Sequence, residues 1–187
     1  MKRVPKWRDI EEMMKPGRLT RDGMLGSDPR PLEEIIESDG ATVARLGLTH
    51  GDIARRLEEL TAASMERLGD PVIVEETYEV RVEEARGSLP CPFKHPGRWR
   101  KAVTYCRHLP TGESIAWTAL GVHMIEAHGF YEGRGSPFRL DPERIARLLA
   151  PRASSEKADP AEHKRVPSPG AGRQTPGLRP DERNATG

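Results

Sequence analysis

Between residues 72 and 82 every apolar side chain except Ile73 falls on an even position. Val72, Val74, Tyr78, Val80 and Val82 make up the even set, and Glu79, Arg81 and Glu83 lie opposite. A period of two puts alternate side chains on opposite faces of an extended chain, so the pattern predicts one long, half-buried strand. Two further extended segments, RKAVTYCRH and ESIAWT, are joined by LPTG. Pro110 suits the first central position of a turn and Gly112 a left-handed one, which predicts a hairpin with a bulge. Val103 and Tyr105 share one face of its first strand; Cys106 and His108 share the other. The economical assembly over residues 71–120 is a three-stranded antiparallel sheet.

On either side the apolar period changes to that of a helix. Leu32, Ile35 and Ile36 mark one face; the pattern resumes at Val43 and Leu46 after Gly40, read as a break. Thr49 is placed to cap a second helix carrying Ile53, Leu57, Leu60 and Leu68, which Gly69 and Asp70-Pro71 end. LTHGDIARRL resembles the opening of a helix-turn-helix. However, EELTAASMERL continues the helical pattern where that motif needs its turn, so a helix packed on the sheet is expected instead. Beyond the sheet, Thr118 caps ALGVHMIEAH and Gly129 closes it. Asp141-Pro142-Glu143 then opens a last helix with Ile145, Leu148 and Leu149 inward, ended by Pro151.

The ends differ from this middle. Residues 1–28 are polar with Gly and Pro breaks, and predict an arm with a short helix at WRDIEEMMK. Residues 151–187 are rich in Pro, Gly, Ser and Arg and contain no aromatic residue, which predicts a disordered tail. The expected architecture is therefore α+β: a single domain over 29–150, with helices first, then the sheet, then two short helices. Of the 187 residues, 35% are hydrophobic and 32% charged, an apolar share too low for a wholly packed chain. The formal net charge of +1 provides no whole-protein field to draw in nucleic acid or an anionic membrane. No secretory signal or membrane span is visible, so a cytoplasmic location with Cys91 and Cys106 reduced is expected.

The chemistry-bearing residues gather in 88–130. CPFKH sets Cys91 and His95 in a Pro/Gly loop after a strand; HMIEAH sets His123 and His128 on a helix. Two short local pairs, one from a turn and one from a helix, are how structural zinc sites build a tetrahedron. Five residues apart, the two histidines stand about 140° apart around a helix, so the last turn must loosen near Gly129 for both to reach one point. Cys106 and His108 are reserve ligands, and Cys91, Cys106, His123 and His128 form the competing set. Three imidazoles and a thiolate suit zinc best.

Residues 91–128 resemble a two-Cys, two-His zinc finger with His95 in place of one cysteine. A whole hairpin separates the pairs, which is closer to a treble-clef arrangement. The wider combination PCPFKHPG … HMIEAHGFYEGRGSPFRLDP is similar to bacterial proteins of uncharacterised families, a resemblance that implies no activity.

Four ligands close a zinc site and favour a structural role; three leave a position open for water. In the open case Glu126, between the histidines, is the candidate general base of a metal-dependent hydrolase. Seven of the nine aromatic residues lie between 93 and 138. Phe130, Tyr131 and Phe138 with Arg134 and Arg139, and the cluster of Lys94, Arg98, Trp99, Arg100 and Lys101, form a candidate binding surface for a protein partner or for nucleic acid. The leading expectation is a zinc-stabilised binding or adaptor module. A metal-dependent hydrolase and a metal-free structural domain are the alternatives.

Overall fold

The computed structural model describes residues 5–67 and 69–151. Leu68 and the tail from residue 152 lie outside the described residues, and so does the expectation of disorder in that tail. Helix α1 spans Pro5–Met13, α2 Leu32–Arg45 and α3 His50–Met65. Strands β1 (Val72–Val74), β2 (Tyr78–Pro90), β3 (Arg98–His108) and β4 (Ser114–Thr118) follow, then α4 (Ala119–His128) and α5 (Pro142–Leu149). The strands form one antiparallel sheet in the order β1-β2-β3-β4.

The α+β class and the C-terminal helix pair are as expected, but the sheet has four strands, not three. The long strand expected over 72–83 is folded back at Glu75–Thr77, pairing Val72 with Val80 and Val74 with Tyr78. A connection of three residues preserves parity, so even positions stay on one face through the turn. The period of two therefore runs across the reversal unbroken and conceals it. Glu75 and Glu76 both adopt φ of 53° in place of the usual Asn-Gly, and the Thr77 N–H closes the turn on the Val74 carbonyl at 3.1 Å. The Arg56 guanidinium clasps the Glu75 carboxylate at 2.8 and 2.6 Å.

Helix caps follow the sequence closely. Thr49 and Asp52 exchange side-chain and backbone hydrogen bonds as a capping box. The Thr118 hydroxyl accepts from the Gly121 N–H, and the Asp141 carboxylate from the Arg144 N–H, with Pro142 in the first turn. Gly129 ends α4 at φ 62°, where an added Cβ would also meet the His50 ring. Gly40 is not a break: α2 runs through it.

Helices pack on the face of the sheet that carries Val80, Val82, Ala102, Thr104, Cys106 and Trp117, all buried. Helix α4 lies between two apolar clusters. Val122 and Ile125 join the one beneath α3 and α5; Leu120 and Met124 join the other with Cys91 and Phe130. That second cluster also holds Ile10, Met14 and Met24, so residues 5–28 contribute to the core, although they read as a polar arm. Their apolar residues are too widely spaced to signal a face by themselves. Glu11 in addition caps α2, its carboxylate accepting from the Leu32 N–H at 3.0 Å.

Candidate metal centre

The β2–β3 loop, Cys91 to Gly97, arches over the C-terminal end of α4. Cys91-Pro92-Phe93-Lys94 forms a turn in which the Lys94 N–H meets the Cys91 carbonyl at 3.0 Å and Lys94 takes φ 62°. This conformation aims the Phe93 and His95 backbone N–H groups at the Cys91 sulfur. The thiol is buried, which raises its pKa; those two hydrogen bonds oppose the rise, because they favour the thiolate.

His123 and His128 come from successive turns of α4. Cys91 Sγ lies 3.3 Å from His128 Nε2, and ligand atoms of Cys91, His123 and His128 all lie within 4.8 Å of one another. Among the described residues these three form the one group of this kind, compatible with a metal site. The exposed His95 lies beside this group and outside it. Its Nδ1 is 3.3 Å from His123 Nε2, and its ring centroid lies 5.0 Å from that of His123 and 5.6 Å from that of His128. The two α4 rings meet edge-on, 5.3 Å apart at 86°, and α4 stays helical through His128, so the side chains span the offset of about 140° without the loosened last turn expected from the sequence. Burial, then the nearby His95, lowers the pKa of His123, while Glu126 acts in the other direction.

Two aromatic side chains hold the imidazoles in place. Phe93 stacks on His128 at 4.1 Å and 11°, and Trp99 on His123 at 3.8 Å and 23°. Trp99, expected on a binding surface, thus supports a candidate ligand, and Phe93 does the same for His128. The signal for both is nearness in sequence to CPFKH: Phe93 lies inside it and Trp99 four residues past His95, at the start of β3.

The reserve ligands lie elsewhere. Cys106 faces the core under α3, where burial pushes its thiol up to about 12, and His108 pairs with Thr111 and Tyr78 at the far end of β3. The parity of β3 that puts Cys106 and His108 on one face also carries both away from the β2–β3 loop.

The candidate surface over 129–139 is corrected by burial. Phe130 and Tyr131 are fully enclosed, and Phe138 is half-buried. Arg139 forms a two-point ion pair with the buried Asp39, donating also to the Glu132 carbonyl at 2.6 Å. The loop is held against residues 24–28: Gly133 N–H donates to the Met24 carbonyl at 2.8 Å and Ser27 N–H to that of Arg134 at 2.9 Å. Arg134 alone of the five keeps an exposed side chain. In the other cluster Arg98 and Arg100 are exposed. Arg98 donates to Ser88 Oγ and its carbonyl, both at 2.8 Å, and Arg100 lies 3.5 Å from Glu84. Glu126 lines a groove beside His123 and interacts across it with Glu58.

Comparison with protein-family models, curated proteins and solved structures returns no match. Among the described residues no helix is long and apolar enough to cross a membrane.

Proposed function

We propose that the protein is a zinc-stabilised binding module, in which Cys91, His95, His123 and His128 hold one zinc ion. The observation that carries this is the meeting of Cys91, His123 and His128 at the end of α4; His95, 3.3 Å from His123, supplies the fourth ligand in this reading. Zinc bonds of about 2.05 Å to nitrogen and about 2.3 Å to sulfur give a tetrahedron with edges of about 3.3 Å between nitrogens and about 3.6 Å between nitrogen and sulfur. Two of the six edges, Cys91–His128 and His95–His123, are 3.3 Å here, and the ligand atoms of Cys91, His123 and His128 lie within 4.8 Å of one another. Two N–H groups aimed at Cys91, and aromatic rings stacked on both α4 imidazoles, are the outer-shell support that metal ligands need.

Four ligands close the coordination sphere, so the ion is structural: it ties the β2–β3 loop to α4 and sets the wall of the neighbouring groove. The hydrolase alternative requires Glu126 beside metal-bound water. Around the helix Glu126 is about 60° from His123 and about 160° from His128, which directs it to the groove and Glu58. A protein or small-molecule partner is favoured over nucleic acid, because the exposed guanidiniums of the 94–101 cluster are bent onto β2 and the groove beside them carries carboxylates.

The test is metal analysis of the purified protein together with unfolding in chelator. One zinc per chain, lost in Cys91→Ser and His123→Ala, with a lower unfolding midpoint in chelator, is the expected result. No stoichiometric metal and an unchanged midpoint would favour the metal-free structural alternative.

A further inference from the structure

One face of α3 from Glu58 to Met65 and one face of α4 from Ala119 to Glu126 enclose a groove of about 560 Å³. Both stripes repeat at helical spacing, and the third wall is β3. The groove touches Arg98, Trp99 and Arg100 in succession. Consecutive residues of a strand point to opposite faces, so a cavity that meets all three must lie along the strand's edge. That edge is free because β4 pairs only with Val103–Arg107 before the chain turns into α4 at Thr118.

The lining is largely apolar and aromatic; its charged residues are Glu58 and Glu126 from the helices and Arg98 and Arg100 from β3. Trp117 is a rigid floor, buried and fixed by its indole N–H donating to Thr61 Oγ1 at 2.9 Å. Trp99 is half-buried at the metal-centre end. The guanidiniums of Arg98 and Arg100 turn toward β2, where Arg98 donates to Ser88 and Arg100 lies 3.5 Å from Glu84, which leaves Glu58 and Glu126 to meet a cation. Glu58 and Glu126 face each other from the two helices, and neither has an ion-pair partner among the described residues. The volume falls within the roughly 300–1,000 Å³ range of small-molecule sites, and an aromatic wall with carboxylates attracts a desolvated organic cation.

From the free β3 edge, the tryptophan walls and the two facing carboxylates, we infer that this groove binds a small organic cation, an ammonium or guanidinium on an apolar body. The inference rests on the binding-module reading and gives that module a ligand class. Glu58 and Glu126 take the charge; Trp99, Met65 and Val122 take the apolar body.

The probes are phenethylammonium, the neutral 2-phenylethanol and the anionic 3-phenylpropionate, titrated into full-length, metal-loaded protein and followed by tryptophan fluorescence and calorimetry. Saturable binding is expected for the ammonium, about tenfold weaker binding for the alcohol, and none for the carboxylate. Glu58→Gln and Glu126→Gln should each weaken the ammonium about tenfold, while Glu79→Gln, on the opposite face of the sheet, leaves it unchanged. Both glutamates are solvent-exposed, so the variants are expected to fold, and circular dichroism verifies it. Absence of saturable binding, equal affinity for ammonium and alcohol, or an unchanged Kd in the double glutamine variant would each overturn the inference. Zinc is measured on the same samples. Zinc present without binding overturns the groove alone, and binding by zinc-free protein overturns the metal reading alone.

Discussion

Glu132 is 5% exposed, inside the loop that links α4 to α5. Its carboxylate accepts a short hydrogen bond from Ser136 Oγ, and Arg139 lies near, yet burial dominates and pushes the carboxyl up from 4.5 to about 7. The folded state therefore holds this proton more tightly than the unfolded chain does. Below the unfolded pKa both states are protonated and the group is neutral toward stability. As pH rises from about 4.5 to about 7, the unfolded chain ionises first and stability falls; above about 7 the whole cost is present. A separation of about 2.5 units at 1.36 kcal/mol each makes that cost about 3 kcal/mol. Glu132→Gln removes the charge and keeps an acceptor for Ser136. Urea unfolding of both proteins at pH 5 and pH 8 should show the variant gaining on the wild type by about 2–3 kcal/mol between the two pH values. Taking the difference between the proteins cancels the titration of every other group, the metal ligands included. Parallel pH dependence in both proteins would refute the reasoning and mean that Glu132 ionises as an ordinary surface carboxylate.

The Asp39–Arg139 pair, at 6% and 14% side-chain exposure, joins α2 to the same loop. Arg139→Leu leaves Asp39 buried without its counter-ion and should cost about 3–5 kcal/mol in chemical unfolding, while the double variant Asp39→Leu/Arg139→Leu recovers much of it. A double variant no more stable than the single would show that the charges were not the cause. Gly133 approaches the Leu25 carbonyl too closely to admit a Cβ. Gly133→Ala should therefore lower stability by about 1–3 kcal/mol and increase amide exchange at Ser27, and wild-type exchange there would contradict the close contact.

Signals local to a few residues were legible in the sequence. Thr49, Thr118, Gly129 and Asp141-Pro142 each need only their own neighbours to act as caps, and each does so. The meeting of CPFKH with HMIEAH was legible for the same reason, since each pair is local and the hairpin between them is short. What depended on distant partners was not. The β1–β2 turn was hidden because an odd loop preserves the alternation. Phe130, Tyr131 and Arg139 read as an exposed aromatic and basic loop because nothing near them in sequence reveals Asp39, or the 24–28 segment that holds the loop in place. The groove was invisible for a related reason: it lies where β4 ends at Thr118 and leaves one edge of the start of β3 unpaired, the other edge being bonded to β2.

The central proposal is one closed zinc site held by Cys91, His95, His123 and His128. X-ray absorption at the zinc edge of the purified protein tests it most directly. One sulfur at about 2.3 Å with three nitrogens at about 2.0–2.1 Å is the predicted shell, changing to a shell without sulfur or to loss of the metal in Cys91→Ser. A shell lacking sulfur in the wild type, or one containing two sulfurs, would contradict the assignment of Cys91, His95, His123 and His128.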